Sequence, residues 1–189
     1  MDLIQRAYTG FKNWVYEITG DTDLGLDVAG DRVSDISDFL NLNPHRKPYY
    51  LRILGENLYQ EIKTIQASKS RFEQALTRSL INAIANVHLE KENEWPSTLL
   101  YQNSIGSYLF LRLGIKIDGK ISDIDFFLNK NPHRKFYYLR ILGEYLLKET
   151  KELQGNDLEF DKAFDNIIIN AIEKVYREME REERVSKKF

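Results

Sequence analysis

One sixteen-residue stretch occurs twice in this chain of 189 residues: NPHRKPYYLRILGENL over 43–58 and NPHRKFYYLRILGEYL over 131–146. The likeness extends upstream at the same offset of 88 positions. Residues 34–58 and 122–146 agree at 20 of 25 positions without a gap. It also extends downstream, where Phe72, Ala75, Ile81, Asn82, Ala83, Ile84 and Val87 recur as Phe160, Ala163, Ile169, Asn170, Ala171, Ile172 and Val175. Self-similarity at a fixed period means that one supersecondary unit is used twice, so a fold is admissible only if both copies can adopt it. The expected fold class is all-α: an internally duplicated helical bundle of two pseudo-symmetric units, residues 1–92 and 93–189, packed as one body. Each unit is expected to hold about three long helices and one short one.

The local signals are read in both copies. Leu3, Ala7, Phe11, Trp14, Val15 and Ile18 recur at helical spacing and predict a first amphipathic helix. Its counterpart opens at WPST, with Pro96 at the start, and runs to about Leu113. Next, IKIDGKI alternates around Asp-Gly, which predicts a tiny hairpin at 114–121. The acidic run DTDLGLD (21–27) has no glycine at its sixth position and no glutamate at a twelfth, so it is read as an acidic turn rather than a calcium loop. Ser34 and Ser122 are expected to cap a short helix. Pro48 stands where the other copy has Phe136. Proline fits only the first turn of a helix, so the long helix of each copy must begin at about residues 45–48. That helix is expected to run to about Thr64, and to about Glu152 in the second copy. A last helix follows from Arg71 to Glu90, and from Phe160 to about Glu182. EKENEWPS is read as the connector, and the charged tail REMEREERVSKKF is expected to fray.

On the long helix, Leu51, Leu54, Leu58, Ile62 and Ile65 make one apolar stripe, while Tyr49, Arg52, Ile53 and Glu56 occupy the opposite side. A helix apolar on both faces is covered on both. The other half offers Tyr137, Arg140, Ile141 and Glu144, which predicts Arg52 against Glu144 and Arg140 against Glu56. Gly55 costs about 1 kcal/mol against alanine in a helix interior, so close approach of a second helix is its expected reason.

The composition excludes some chemistry. There is no cysteine, hence no disulfide and no thiolate metal site. The N-terminus has no apolar signal core, and the most apolar run, SYLFLRLGI, is interrupted by Arg112; a cytoplasmic chain away from membranes is expected. A net charge of -2 argues against wholesale coating of nucleic acid but leaves local patches open. Such patches occur around the repeated turn: residues 43–71 carry six Lys/Arg against two acids, and 126–153 carry six against three.

The expected ligand-binding residues are His45, Arg46, Lys47, Tyr49 and Arg52, with His133, Arg134, Lys135, Tyr137 and Arg140. Basic side chains beside a helix start make a phosphate site, and tyrosines can stack on bases. The leading expectation is therefore a non-catalytic module engaging an anionic partner, with RNA or DNA backbone foremost. The alternative is a protein–protein assembly or adaptor subunit, or self-association, through the pseudo-two-fold helix face. A third reading is an enzyme using His45 and His133. No nucleophile, metal-spaced histidine pair or phosphate-cradling glycine loop accompanies them, so no catalytic residue, metal or cofactor is expected. His88 matches Tyr176 and is read as a packing position.

Overall fold

The computed structural model describes residues 22–95 and 106–187. Every long element among them is a helix: α1 (Thr22–Leu42), α2 (Lys47–Ile65), α3 (Phe72–Glu94), α4 (Gly106–Lys130), α5 (Lys135–Leu153) and α6 (Phe160–Ser186). Two 3-10 turns, Pro44–Arg46 and Pro132–Arg134, link α1 to α2 and α4 to α5. None of the described helices is long and apolar enough to cross a membrane. The expected first helix at residues 3–18 lies outside the described residues, as do Pro96 and most of the expected WPST opening.

The repeated sequence stops and restarts its helices by one mechanism. The Asn43 side-chain amide donates back to the Phe39 carbonyl at 2.9 Å, and Asn131 does the same to Phe127 at 3.0 Å. Each bond gives a second donor to a carbonyl that already accepts the backbone N–H of the same asparagine, and so ties the asparagine to the last turn of the helix. Proline follows at once in both copies. Pro48 then lies in the first turn of α2, where its missing N–H costs nothing. At the start of α3 the Arg71 N–H donates to the Gln74 side-chain oxygen at 3.2 Å.

Several expectations are corrected. The hairpin at 114–121 is continuous helix within α4, because burial of Ile117, Ile121 and Ile124 on one helical face prevails over the turn preference of Asp118-Gly119. The acidic run from Asp21 is likewise helical from Thr22 onward, within α1. Ser34 and Ser122 are mid-helix residues, not caps, because the separate short helix merges into α1 and α4. Glu90 to Glu94 of the expected connector extend α3, and the charged tail continues α6 to Ser186.

The core runs through all six helices. The stripe Leu51, Leu54, Leu58, Ile62 and Ile65 is buried, as are Leu139, Leu142 and Leu146. α2 packs against α5 and α3, α5 against α6, and α1 against α4, with α3 and α6 reaching across to α4 and α1. At the α2–α5 crossing a methyl placed on Gly55 would lie 2.8 Å from Thr150 Cβ, and one on Gly143 would lie 3.2 Å from Ile62 Cγ2. Thr150 and Ile62 are themselves 88 positions apart, so the two contacts are reciprocal. Burial of Gly55 against a second helix is the approach its cost implied. The expected cross-half ion pairs are not formed: Arg52 pairs with Glu56 at 2.9 Å and Arg140 with Glu144 at 3.0 Å, each within its own helix. Residues four apart on one helix meet without any rearrangement, and the α2–α5 seam is occupied by Gly55, Ile62, Gly143 and Thr150.

Candidate functional site

Eight of the ten expected binding residues, all but His45 and His133, are held by a partner within the protein, and the two halves hold them alike. Lys47 Nζ reaches across to the loop before α6, donating to the Asn156 carbonyl and, at 2.8 Å, to that of Leu158. Lys135 Nζ makes the reciprocal bonds to Ser68 at 2.6 Å and Ser70 at 2.8 Å. These two lysines therefore clasp the halves together.

Arg46 pairs with Glu94 at 2.6 Å, and Arg134 with Glu182 at 2.7 Å. The same carboxylates accept from buried phenols: Tyr50 donates to Glu94 at 2.6 Å and Tyr138 to Glu182 at 2.9 Å. Burial, followed by the carboxylate bond, raises both phenols well above the ordinary tyrosine value. The Arg46 hydrogen bond, with help from Tyr50, holds Glu94 below the usual carboxylate range.

Each half-buried tyrosine, Tyr49 and Tyr137, has two guanidinium groups within cation–π reach of its ring. Arg46 and Arg52 lie 4.8 and 5.3 Å from the centre of the Tyr49 ring; Arg134 and Arg140 lie 4.5 and 5.4 Å from that of Tyr137. The phenols donate to Glu90 at 2.5 Å and Glu178 at 3.1 Å. The outcome is an Arg–Tyr–Arg stack on each half, backed by acids of α3 or α6. His45 and His133 are exposed beside it. His133 and Arg134, with Glu178, Arg181, Glu182 and Val185, line a shallow groove of about 550 Å³.

Sequence reasoning missed the acidic partners Glu90, Glu94, Glu178 and Glu182, and it missed the buried Tyr50 and Tyr138. A signal was present, because glutamate recurs at the 88-residue offset at both acidic positions.

A second cluster lies between α1 and α3. His88 Nε2 is 2.9 Å from Asp35 Oδ2 and 3.5 Å from Glu92. These three side chains have metal-ligand spacing, but the buried Lys91 ammonium stands 2.7 Å from Asp35 and 3.3 Å from Glu92 and supplies the positive charge there. At the related position Tyr176 donates to Asp123 at 3.3 Å, and Met179 replaces Lys91.

Compared with family models, with curated proteins and with solved structures, the chain matches none.

Proposed function

We propose that this chain is a non-catalytic helical adaptor, built from a doubled unit about a pseudo-two-fold axis, whose partner is another polypeptide bound across the two Arg–Tyr–Arg stacks. The observation that carries this reading is the charge balance of the stacks. Around the first stand Arg46, Lys47 and Arg52 with Glu56, Glu90 and Glu94; around the second stand Arg134, Lys135 and Arg140 with Glu144, Glu178 and Glu182.

A nucleic-acid backbone is bound by cations that exchange counterions for phosphates. Here Arg46 and Arg134 already have carboxylates, and Lys47 and Lys135 already have carbonyls. A phosphate would have to displace them. Arg and Tyr are instead the residues that protein interfaces favour, and a guanidinium held on a ring by its own carboxylate loses little freedom on binding. Exposed Phe126 and Phe136 in the second half add apolar area that a polypeptide can cover.

The test pairs two measurements. Mobility shifts are run on single-stranded and duplex RNA and DNA at about 50 and about 200 mM salt, where phosphate binding falls steeply. Proximity capture is run with the wild type, the Arg52→Glu/Arg140→Glu variant and Lys63→Glu. A polypeptide lost with the double variant, retained with Lys63→Glu and recovered by a reciprocal charge change in that polypeptide supports the adaptor. A salt-sensitive mobility shift that Arg46→Ala and Arg134→Ala abolish refutes it in favour of the anionic ligand.

A further inference from the structure

Where α3 begins, it meets α4 from the other half. Asp125 on α4 is 3% exposed, and its Oδ2 is enclosed without a hydrogen-bond partner. Glu73, in the first turn of α3, is half-buried and faces it. Two carboxyl groups drawn out of water side by side resist double ionisation, since burial and like charge both favour retaining one proton.

The other charged groups that face the pair are Arg71, in the loop leading into α3, and Asp118, two turns earlier on α4. Burial raises the Asp125 carboxyl as well, but the Glu73 contact, Arg71 and the N–H groups of Glu73 and Phe72 oppose that rise. Glu73 therefore holds the proton. Burial and then the Asp125 contact push its carboxyl up to about 8. The positions 88 residues away differ: Ser37 stands in place of Asp125 and Asp161 in place of Glu73, and the serine hydroxyl donates to Asp161 Oδ1 at 3.5 Å. A hydroxyl–carboxylate contact requires no shared proton, so only one of these two related crossings is built as an acid pair.

We propose that Glu73 and Asp125 form a proton-held latch between the halves, closed while the pair carries one proton and loosened when that proton leaves. The latch has a neighbour on which to act. The loop just before it supplies the Ser68 and Ser70 carbonyls that hold Lys135, so release of the first turn of α3 loosens the anchor of the second basic turn.

The sign follows from linkage. Below the ordinary glutamate value of 4.5 both folded and unfolded chains carry the proton, and the stabilisation is fully present. As pH rises towards about 8 the unfolded chain ionises while the folded one retains its proton, so stability declines until the folded pair ionises too.

The experiment is hydrogen exchange by mass spectrometry on the full chain, corrected for intrinsic rates, with urea unfolding at each pH between about 5 and about 8. Residues 66–76 are compared with 154–164, the related segment in the same molecule. The wild type is expected to lose protection in 66–76 but not in 154–164. Its unfolding constant should rise up to about tenfold per pH unit more steeply than that of Glu73→Gln. In Glu73→Gln, and in Asp125→Ser, which borrows the residue at position 37, the two segments should respond alike. A simple packing change in Glu73→Gln would displace stability equally at every pH. An unchanged pH slope in that isosteric variant, or equal loss of protection in both segments of the wild type, overturns the latch.

Discussion

The α2–α5 crossing can be tested with one methyl group. In Gly55→Ala the new Cβ would stand 2.8 Å from Thr150 Cβ and 2.9 Å from both its Cγ2 and Oγ1. Thr150 cannot step aside. It is buried and branched at Cβ, and its hydroxyl donates to the Leu146 carbonyl at 2.7 Å. Two effects oppose each other. Alanine gains about 1 kcal/mol of helix propensity over glycine. Overpacking a tight core costs about 1–3 kcal/mol. A clash with Cβ itself, rather than with a flexible end, puts the cost at the top of that range, so the net change is a loss of about 1–2 kcal/mol. For a chain of this size that lowers Tm by about 2–8 °C. Gly143→Ala is the control, because its methyl meets the Ile62 Cγ2 at 3.2 Å, where a few tenths of an ångström suffice. It should be close to neutral. Thr150→Ala in the Gly55→Ala background removes two of the three clashing atoms but leaves Cβ, so it should restore only part of the loss. Urea midpoints at constant m-value measure all four chains. A Gly55→Ala protein more stable than wild type would refute the close approach.

Two further outcomes follow from the same contacts. Lys47→Met and Lys135→Met each remove an ammonium donating to two carbonyls of the other half, and each should cost about 1–3 kcal/mol, of similar size in the two variants, as read from urea midpoints. Lys91→Met strips the buried cation from Asp35 and Glu92 and should cost about 3–5 kcal/mol in the same assay. Adding His88→Tyr installs the tyrosine and methionine found at 176 and 179, and should recover part of that loss.

The helices were legible in the sequence to the extent that proline and the apolar stripe determine them. Pro48 against Phe136 placed the start of α2 and α5 within the first turn, and the stripe from Leu51 to Ile65 is buried as its spacing implied. The boundaries that failed were those resting on residues with weak local preference. Asp118-Gly119 satisfies the rule for a hairpin turn, yet Ile117, Ile121 and Ile124 bury on one helical face, and tertiary packing prevails over turn chemistry. The site was half legible. The Arg, Lys and Tyr named at one turn stand close together, because the turn and the following helix bring them together. The carboxylate partners of the tyrosines come from α3 and α6, about 40 residues further along the chain, and the carbonyls that hold the lysines come from the other half; no local spacing reports contacts of that range.

Likeness between the halves is imposed by packing. Gly55 and Gly143 must both be small, and Lys47 and Lys135 must both reach the opposite loop. The differences are under no such demand. A methionine fills position 179, so the fold has no need of the buried ammonium at 91 with its desolvation cost. A serine serves at 37, so the fold has no need of the enclosed carboxyl at 125. Asn93 stands where Arg181 lines the groove of the second half. One helical frame thus carries a buried cation in its first half, a groove lined by two arginines and two glutamates in its second, and an acid pair between the two. A partner engaging both stacks would meet the same cation and acid set at each, with Asn93 on α3 and Arg181 on α6 as the charge difference that favours one orientation over the other.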